Sequence, residues 1–178
     1  PQINHRISLD YTKNNLSVTL SYNQLNNYFT QLSDAYKKDF IVMTTKNIGK
    51  QKQLALDLIY NKRLTSWWDV SANIGVYYFI NHLDYESYRE DYRRPSCNLS
   101  LSNDIQLPAK VRMELSARYA SKRQGRSYEV LKPSGGIDIG LSKRLLRDRL
   151  SLSLMITDLL HTERWDSYGR KGALNLDI

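Results

Sequence analysis

Apolar and polar positions alternate with a period of two along most of this chain. In residues 110–119, Val111, Met113, Leu115, Ala117 and Tyr119 share one parity, while Arg112, Glu114, Ser116 and Arg118 hold the other. That period belongs to a strand with two unlike faces. It recurs in Leu16, Val18, Leu20 and Tyr22 against Ser17, Thr19, Ser21 and Asn23, and in Leu150, Leu152, Leu154 and Ile156 against Ser151, Ser153 and Thr157. The pattern predicts strands over 3–12, 15–32, 40–60, 67–82, 95–106, 110–121, 136–144, 149–161 and 172–178. No segment carries the apolar stripe of a helix, and the acidic, aromatic stretch 83–94 reads as loop.

The predicted connections differ in length by turns. Residues 13–14, 62–66, 107–109 and 145–148 are tight, whereas 33–38, 83–94, 122–134 and 162–170 are longer. Antiparallel strands reverse at each connection, so the short turns gather at one end and the long loops at the other, as in outer-membrane barrels. The polar parity consists of small residues: Asp10, Asn23, Asp57, Asn61, Asp69, Ser71, Asn73, Asn98, Ser100, Ser102 and Asp104. A crowded, hydrated lumen suits them better than an open soluble surface. The other parity is apolar: Leu54, Leu56, Leu58, Val70, Ala72, Ile74, Val76, Ile137, Ile139 and Leu141. Trp67 and Trp68 sit beside a short turn, and Tyr77, Tyr78, Phe79, Tyr119 and Trp165 lie towards the long loops, which predicts two interfacial belts.

The expected fold is therefore all-β, an antiparallel up-and-down meander of about nine strands forming part of a transmembrane β-barrel. Residues 1–178 form a single barrel segment in this reading. A soluble β-sandwich or small barrel binding carbohydrate or lipid at the cell surface shares the same period. It would bury Leu54, Leu56 and Leu58 against a second sheet. In a barrel those leucines meet lipid, and Leu56→Arg near mid-membrane would impair assembly by about 2–4 kcal/mol.

Composition narrows the function. No run approaches the roughly 18–20 apolar residues of a spanning helix, and the first residues do not read as a signal peptide. One cysteine, Cys97, allows neither an internal disulfide nor a multi-cysteine metal site, and reads as a small apolar residue. His5, His82 and His161 have no metal-ligand spacing, and nucleophile elbow, phosphate loop and dinucleotide fingerprint are all missing. The expectation is a protein that is not an enzyme and needs no cofactor or metal. Asp57, Asp69 and Asp104 are expected to pair with Arg6, Arg112 or Arg118.

The net charge of +8 raises the question of an anionic partner. Lys62, Arg63, Arg144, Arg147 and Arg149 lie near the short turns, and Arg93, Arg94, Lys122, Arg123 and Arg126 in the long segments. Nucleic acid would want cations and aromatics on a single face, so it is not an expected partner. Solvated loop charge is one reading of these cations; in a barrel the long-segment set would face outward, where outer-membrane lipid, lipopolysaccharide phosphates or an anionic ligand are the expected partners.

Residues 141–165 (LSKRLLRDRLSLSLMITDLLHTERW) resemble the strand, turn, strand and loop near the C-terminal end of TonB-dependent outer-membrane receptors of the Bacteroidetes type. The matching pieces are Ser142 and Lys143 before the turn, the leucine alternation after it, and Asp158, Leu159, Leu160, Thr162 and Trp165. Asn47, Ile48 and Gly49 opening a long strand, and Pro1 and Gln2, match further stretches of that family. The resemblance implies part of a barrel of about 22 strands, plugged by an N-terminal domain and powered by a TonB complex, that takes up a scarce nutrient. The chain departs from the family pattern in that plug, TonB-contacting segment and signal peptide do not appear in it, and its last residues carry no terminal aromatic. The long loops would capture an unknown small ligand. Their aromatics and cations, Tyr85, Tyr88, Tyr92, Arg123, Tyr128, Trp165 and Tyr168, are the candidate ligand contacts.

Overall fold

The computed structural model describes residues 1–35, 41–85, 88–125, 129–164, 166–171 and 174–177. Its strands are β1 (Ile3–Lys13), β2 (Leu16–Ala35), β3 (Ile41–Thr65), β4 (Trp68–Tyr85), β5 (Tyr88–Leu107), β6 (Val111–Ala120), β7 (Arg123–Gln124), β8 (Glu129–Leu131), β9 (Ser134–Leu145), β10 (Leu150–Ile156), β11 (Ser167–Lys171) and β12 (Leu174–Asp177). Among the described residues the one helical element is a 3₁₀ turn, Pro108–Lys110. Eight strands form an antiparallel sheet in the order β1-β2-β3-β4-β5-β6-β9-β10, the expected meander, and the sheet is not closed. The remaining four form a small sheet in the order β12-β11-β8-β7.

Several segments differ from the sequence reading, the expected strand 149–161 among them, since β10 ends at Ile156 and the chain after it folds back on β9. Residues 83–85 and 88–94 are strand rather than loop, since β4 runs to Tyr85 and β5 starts at Tyr88, with Leu83 opposite Glu90 and His82 opposite Asp91. Both faces are polar there, so the backbone ladder continues where the alternation has stopped. The expected strand 172–178 is represented by β12, which pairs with β11 in the small sheet and not with the meander. The 122–134 segment, read as loop, supplies β7 and β8 to that same sheet.

The register turns the sequence alternation into continuous rows. Leu9 faces Leu20, Leu20 faces Leu56, Leu56 faces Val76 and Val76 faces Cys97. One row on, Tyr11, Val18, Leu58, Ile74, Leu99 and Tyr119 align. Nothing covers this face among the described residues: Leu54 is 50% exposed, Val76 45% and Leu152 55%, while Ala55 and Val130 are the only buried apolar side chains. A sandwich would have buried these rows against a second sheet.

The band has a measurable height. On β4 the outward positions run from Trp68 to Tyr78. Ten residue steps span about 34 Å along a strand, and a tilt near 45° reduces this to about 24 Å, close to the ~25 Å apolar band of membrane barrels. Trp68, stacked on Trp67 at 6.1 Å between centroids, marks one limit. Tyr22 and Tyr78, both opposite Leu54, mark the other.

A polar amide sits buried within the apolar rows. Asn103 lies between Val70 and Leu115 and is buried. Its Oδ1 accepts the Trp68 indole N–H at 3.1 Å, and its Nδ2 donates to the Leu115 carbonyl at 3.4 Å. Trp68→Phe strands that oxygen and should cost about 1–3 kcal/mol in a urea-unfolding measurement. Adding Asn103→Leu should recover most of the loss, because a missing pair costs less than a buried widow.

Candidate functional site

The opposite face gathers the small polar residues. Thr19 donates to Asp10 at 2.6 Å, Ser71 to Asn61 at 2.5 Å and the Tyr77 hydroxyl to Asp57 at 2.7 Å. Near the short turns, Arg63 holds Asp69 through Nε and Nη2 at 2.8 and 3.1 Å, and Arg112 grips Asp104 through Nε at 2.9 Å. The three acids are therefore engaged, and of the expected arginines Arg112 holds one. Asp69 and Asp104 are register partners, each neutralised by its own arginine. No group of three or more metal-ligating side chains occurs among the described residues.

Towards the long-loop end this face contains an open hollow of about 470 Å3, lined by Gln53, Tyr77, Phe79, Ser96, Asn98 and Arg123. Period two sets Tyr77 and Phe79 side by side, their rings stacked at 6.2 Å and 29°. Gly75 lets the Tyr77 ring lie flat towards Asp57; a Cβ there would strike the ring and the Asn98 amide. The segment leading to β7 is fixed to β5 by Ser121, whose N–H donates to the Cys97 carbonyl at 2.8 Å and whose hydroxyl accepts the Cys97 N–H at 2.7 Å. That anchor brings Arg123 to the rim. Aromatic faces, amides and a guanidinium together suit a polar ligand with planar or ring surfaces.

A second structure narrows the same face. The chain after β10 folds back on β9: the Leu159 N–H donates to the Ile137 carbonyl and the Asp158 N–H to Asp138, both at 2.8 Å. Asp158 in turn caps the Thr162 and Glu163 N–H groups, and the Thr162 hydroxyl donates to the Gly135 carbonyl at 2.9 Å. Arg118 bridges Asp138 and Glu163, closing a network between wall and loop.

The candidate ligand contacts divide into two groups. Tyr85 and Tyr88 are register partners where β4 meets β5, and farther along β5 Tyr92 accepts a hydrogen bond from the buried Asn81. Arg123 and Tyr168 belong to the small sheet, with Lys122 Nζ 4.9 Å from the Tyr168 ring centre. Tyr128 and Trp165 lie outside the described residues. Sequence reasoning missed Gln53, Tyr77, Phe79 and Asn98 as a group. Tyr77 and Phe79 read as members of the lipid belt, whereas the register puts only Tyr78 on the apolar face. Their odd numbering beside Asp69, Ser71 and Asn73 was the available signal.

The model of the outer membrane protein beta-barrel family matches residues 1–176. No curated protein matches the chain, and no solved structure does.

Proposed function

Since this chain belongs to the outer membrane protein beta-barrel family and is a protein of the bacterial outer membrane, we propose that it forms part of the barrel wall of a TonB-dependent receptor that takes up a scarce nutrient. The observation that carries this reading is the furnished polar face. A wall whose inner side holds a tyrosine-lined hollow and an inward-tied loop is built for a ligand to meet, not merely to contain water. The open edges at β1 and β10 support a larger circumference, because backbone groups facing hydrocarbon must be paired by further strands. In the whole receptor a plug domain would fill that circumference, and a TonB complex would pull it aside. The long-loop end would capture the ligand and pass it to the hollow. An outer-membrane enzyme is less well supported, as Asp69 and Asp104 are each neutralised by an arginine and Asp57 is held by the Tyr77 hydroxyl.

Cells with and without the gene should be compared for accumulation of a ferric siderophore, cobalamin, a malto-oligosaccharide and a tripeptide, each with and without a protonophore. One class should depend on the gene and fail under the protonophore; uptake that ignores the protonophore would make the barrel a passive channel. Within that assay, Tyr77→Ala with Arg123→Ala should weaken uptake roughly tenfold, the scale of losing an aromatic and an arginine anchor. Surface level of the receptor should stay unchanged. Tyr88→Ala with Tyr92→Ala should act in the same direction, and a loss of assembly instead would make those tyrosines structural.

A further inference from the structure

Beyond the apolar band the outward face changes chemistry without changing register. Two residues past Leu54, Tyr78 and Pro95, the row reads Gln24, Lys52, Ile80 and Arg93, and the next reads Asn26, Lys50, His82 and Asp91. Lys50, Lys52 and Arg93 are exposed, and with Ile80, His82 and Asp91 they line an open hollow of about 450 Å3. Asp91 pairs with the His82 ring. Among the described residues no carboxylate pairs with Lys50, Lys52 or Arg93. Lys52 and Arg93 flank Ile80 from the strands on either side, so their Cα atoms are about 10 Å apart, within reach of one tetrahedral anion for two long side chains.

We propose that this hollow binds the phosphate of an outer-leaflet lipid, the glucosamine phosphate of lipid A, with Lys50, Lys52 and Arg93 supplying the donors. The position selects a lipid over a free anion. The cations begin about 7 Å along the strands from the last apolar row, which is headgroup depth, and on the face that meets acyl chains. An anion tethered to those chains is presented there at high effective concentration. Three cations in one spot also account for charge that a solvated surface would spread. The inference rests on the outer-membrane placement and is independent of nutrient uptake.

The test uses the full receptor purified in a mild detergent and native mass spectrometry of added bisphosphoryl lipid A, its enzymatically dephosphorylated form, and inorganic phosphate. The receptor should retain bisphosphoryl lipid A and bind the dephosphorylated form far more weakly. K50A/K52A/R93A should lose affinity on the order of a hundredfold, about fivefold per cation, and K50R/K52R should keep it. R144A/R147A/R149A, at the opposite end of the strands, should behave as wild type. Equal retention by the triple variant, or equal binding of dephosphorylated lipid A, would overturn the site. Full displacement by millimolar inorganic phosphate would overturn the lipid as its occupant. If the triple variant does not assemble, R93Q alone should lower retention about fivefold, and retention that ignores both R93Q and rising salt would refute the idea.

Discussion

Ile74→Arg should destabilise the assembled barrel by about 2–4 kcal/mol, the cost of an arginine at the bilayer midplane of a membrane barrel. Ile74 stands on β4 midway between the Trp68 and Tyr78 limits, in the row of Val18, Leu58 and Leu99, and is 39% exposed on the apolar face. The diagnostic result is the gradient. Leu56→Arg, one row towards the long-loop end, should cost somewhat less, and Ile80→Arg, beside Lys52 and Arg93, only about 0–1 kcal/mol. Asn73→Arg, the neighbour on the polar face, should be nearly silent. Folding equilibria of the receptor in phospholipid vesicles, by urea titration, would measure all four. A soluble domain core penalises an inserted charge by packing, not by distance from two parallel aromatic limits. A flat profile across Leu56, Ile74 and Ile80 would therefore remove lipid from this face.

Asp138→Ala should release the 157–164 segment from the wall. Asp138 is buried, ion-pairs with Arg118 and accepts the Asp158 N–H, so one carboxylate joins β6, β9 and the folded-back chain. Hydrogen bonds to a charged acceptor are worth about 1.5–3 kcal/mol, so exchange protection of the Asp158 amide should fall by one to two orders of magnitude. The Thr162 and Glu163 amides, capped by Asp158, should follow it. Asp138→Asn should keep part of the protection, since it retains an acceptor but not the charge facing Arg118. Hydrogen exchange of the receptor in detergent reads these amides directly. Unchanged exchange in both variants would mean that the Leu159 and Thr162 bonds hold the segment unaided.

Much of this architecture was legible because lipid contact is written in period two. Val111 to Tyr119 could be assigned two faces from the sequence, and the register places them so, row against row with β5 and β9. The signal faded where the membrane ends. Residues such as Asp84, Tyr85, Glu90 and Asp91 carry no apolar–polar alternation, so the strands through them were invisible as strands. The small sheet was invisible for another reason: β7, β8, β11 and β12 are two to five residues long, too short for any period to declare itself.

The site followed the same division. Arg123, which reaches the rim of the hollow, was singled out by its place in a long connection, while Tyr77, Phe79, Gln53 and Asn98 were not, since their shared hollow needs four elements in register. The sequence by itself determined which residues meet lipid and which meet water, because that choice repeats every second position and needs no knowledge of neighbours. Only the tertiary structure decided which polar residues meet one another. Asp138 finds Arg118 and Asp158, and Asp104 finds Arg112, across strand pairings set by backbone hydrogen bonds between residues distant in the chain. A local pattern carries no record of those partners.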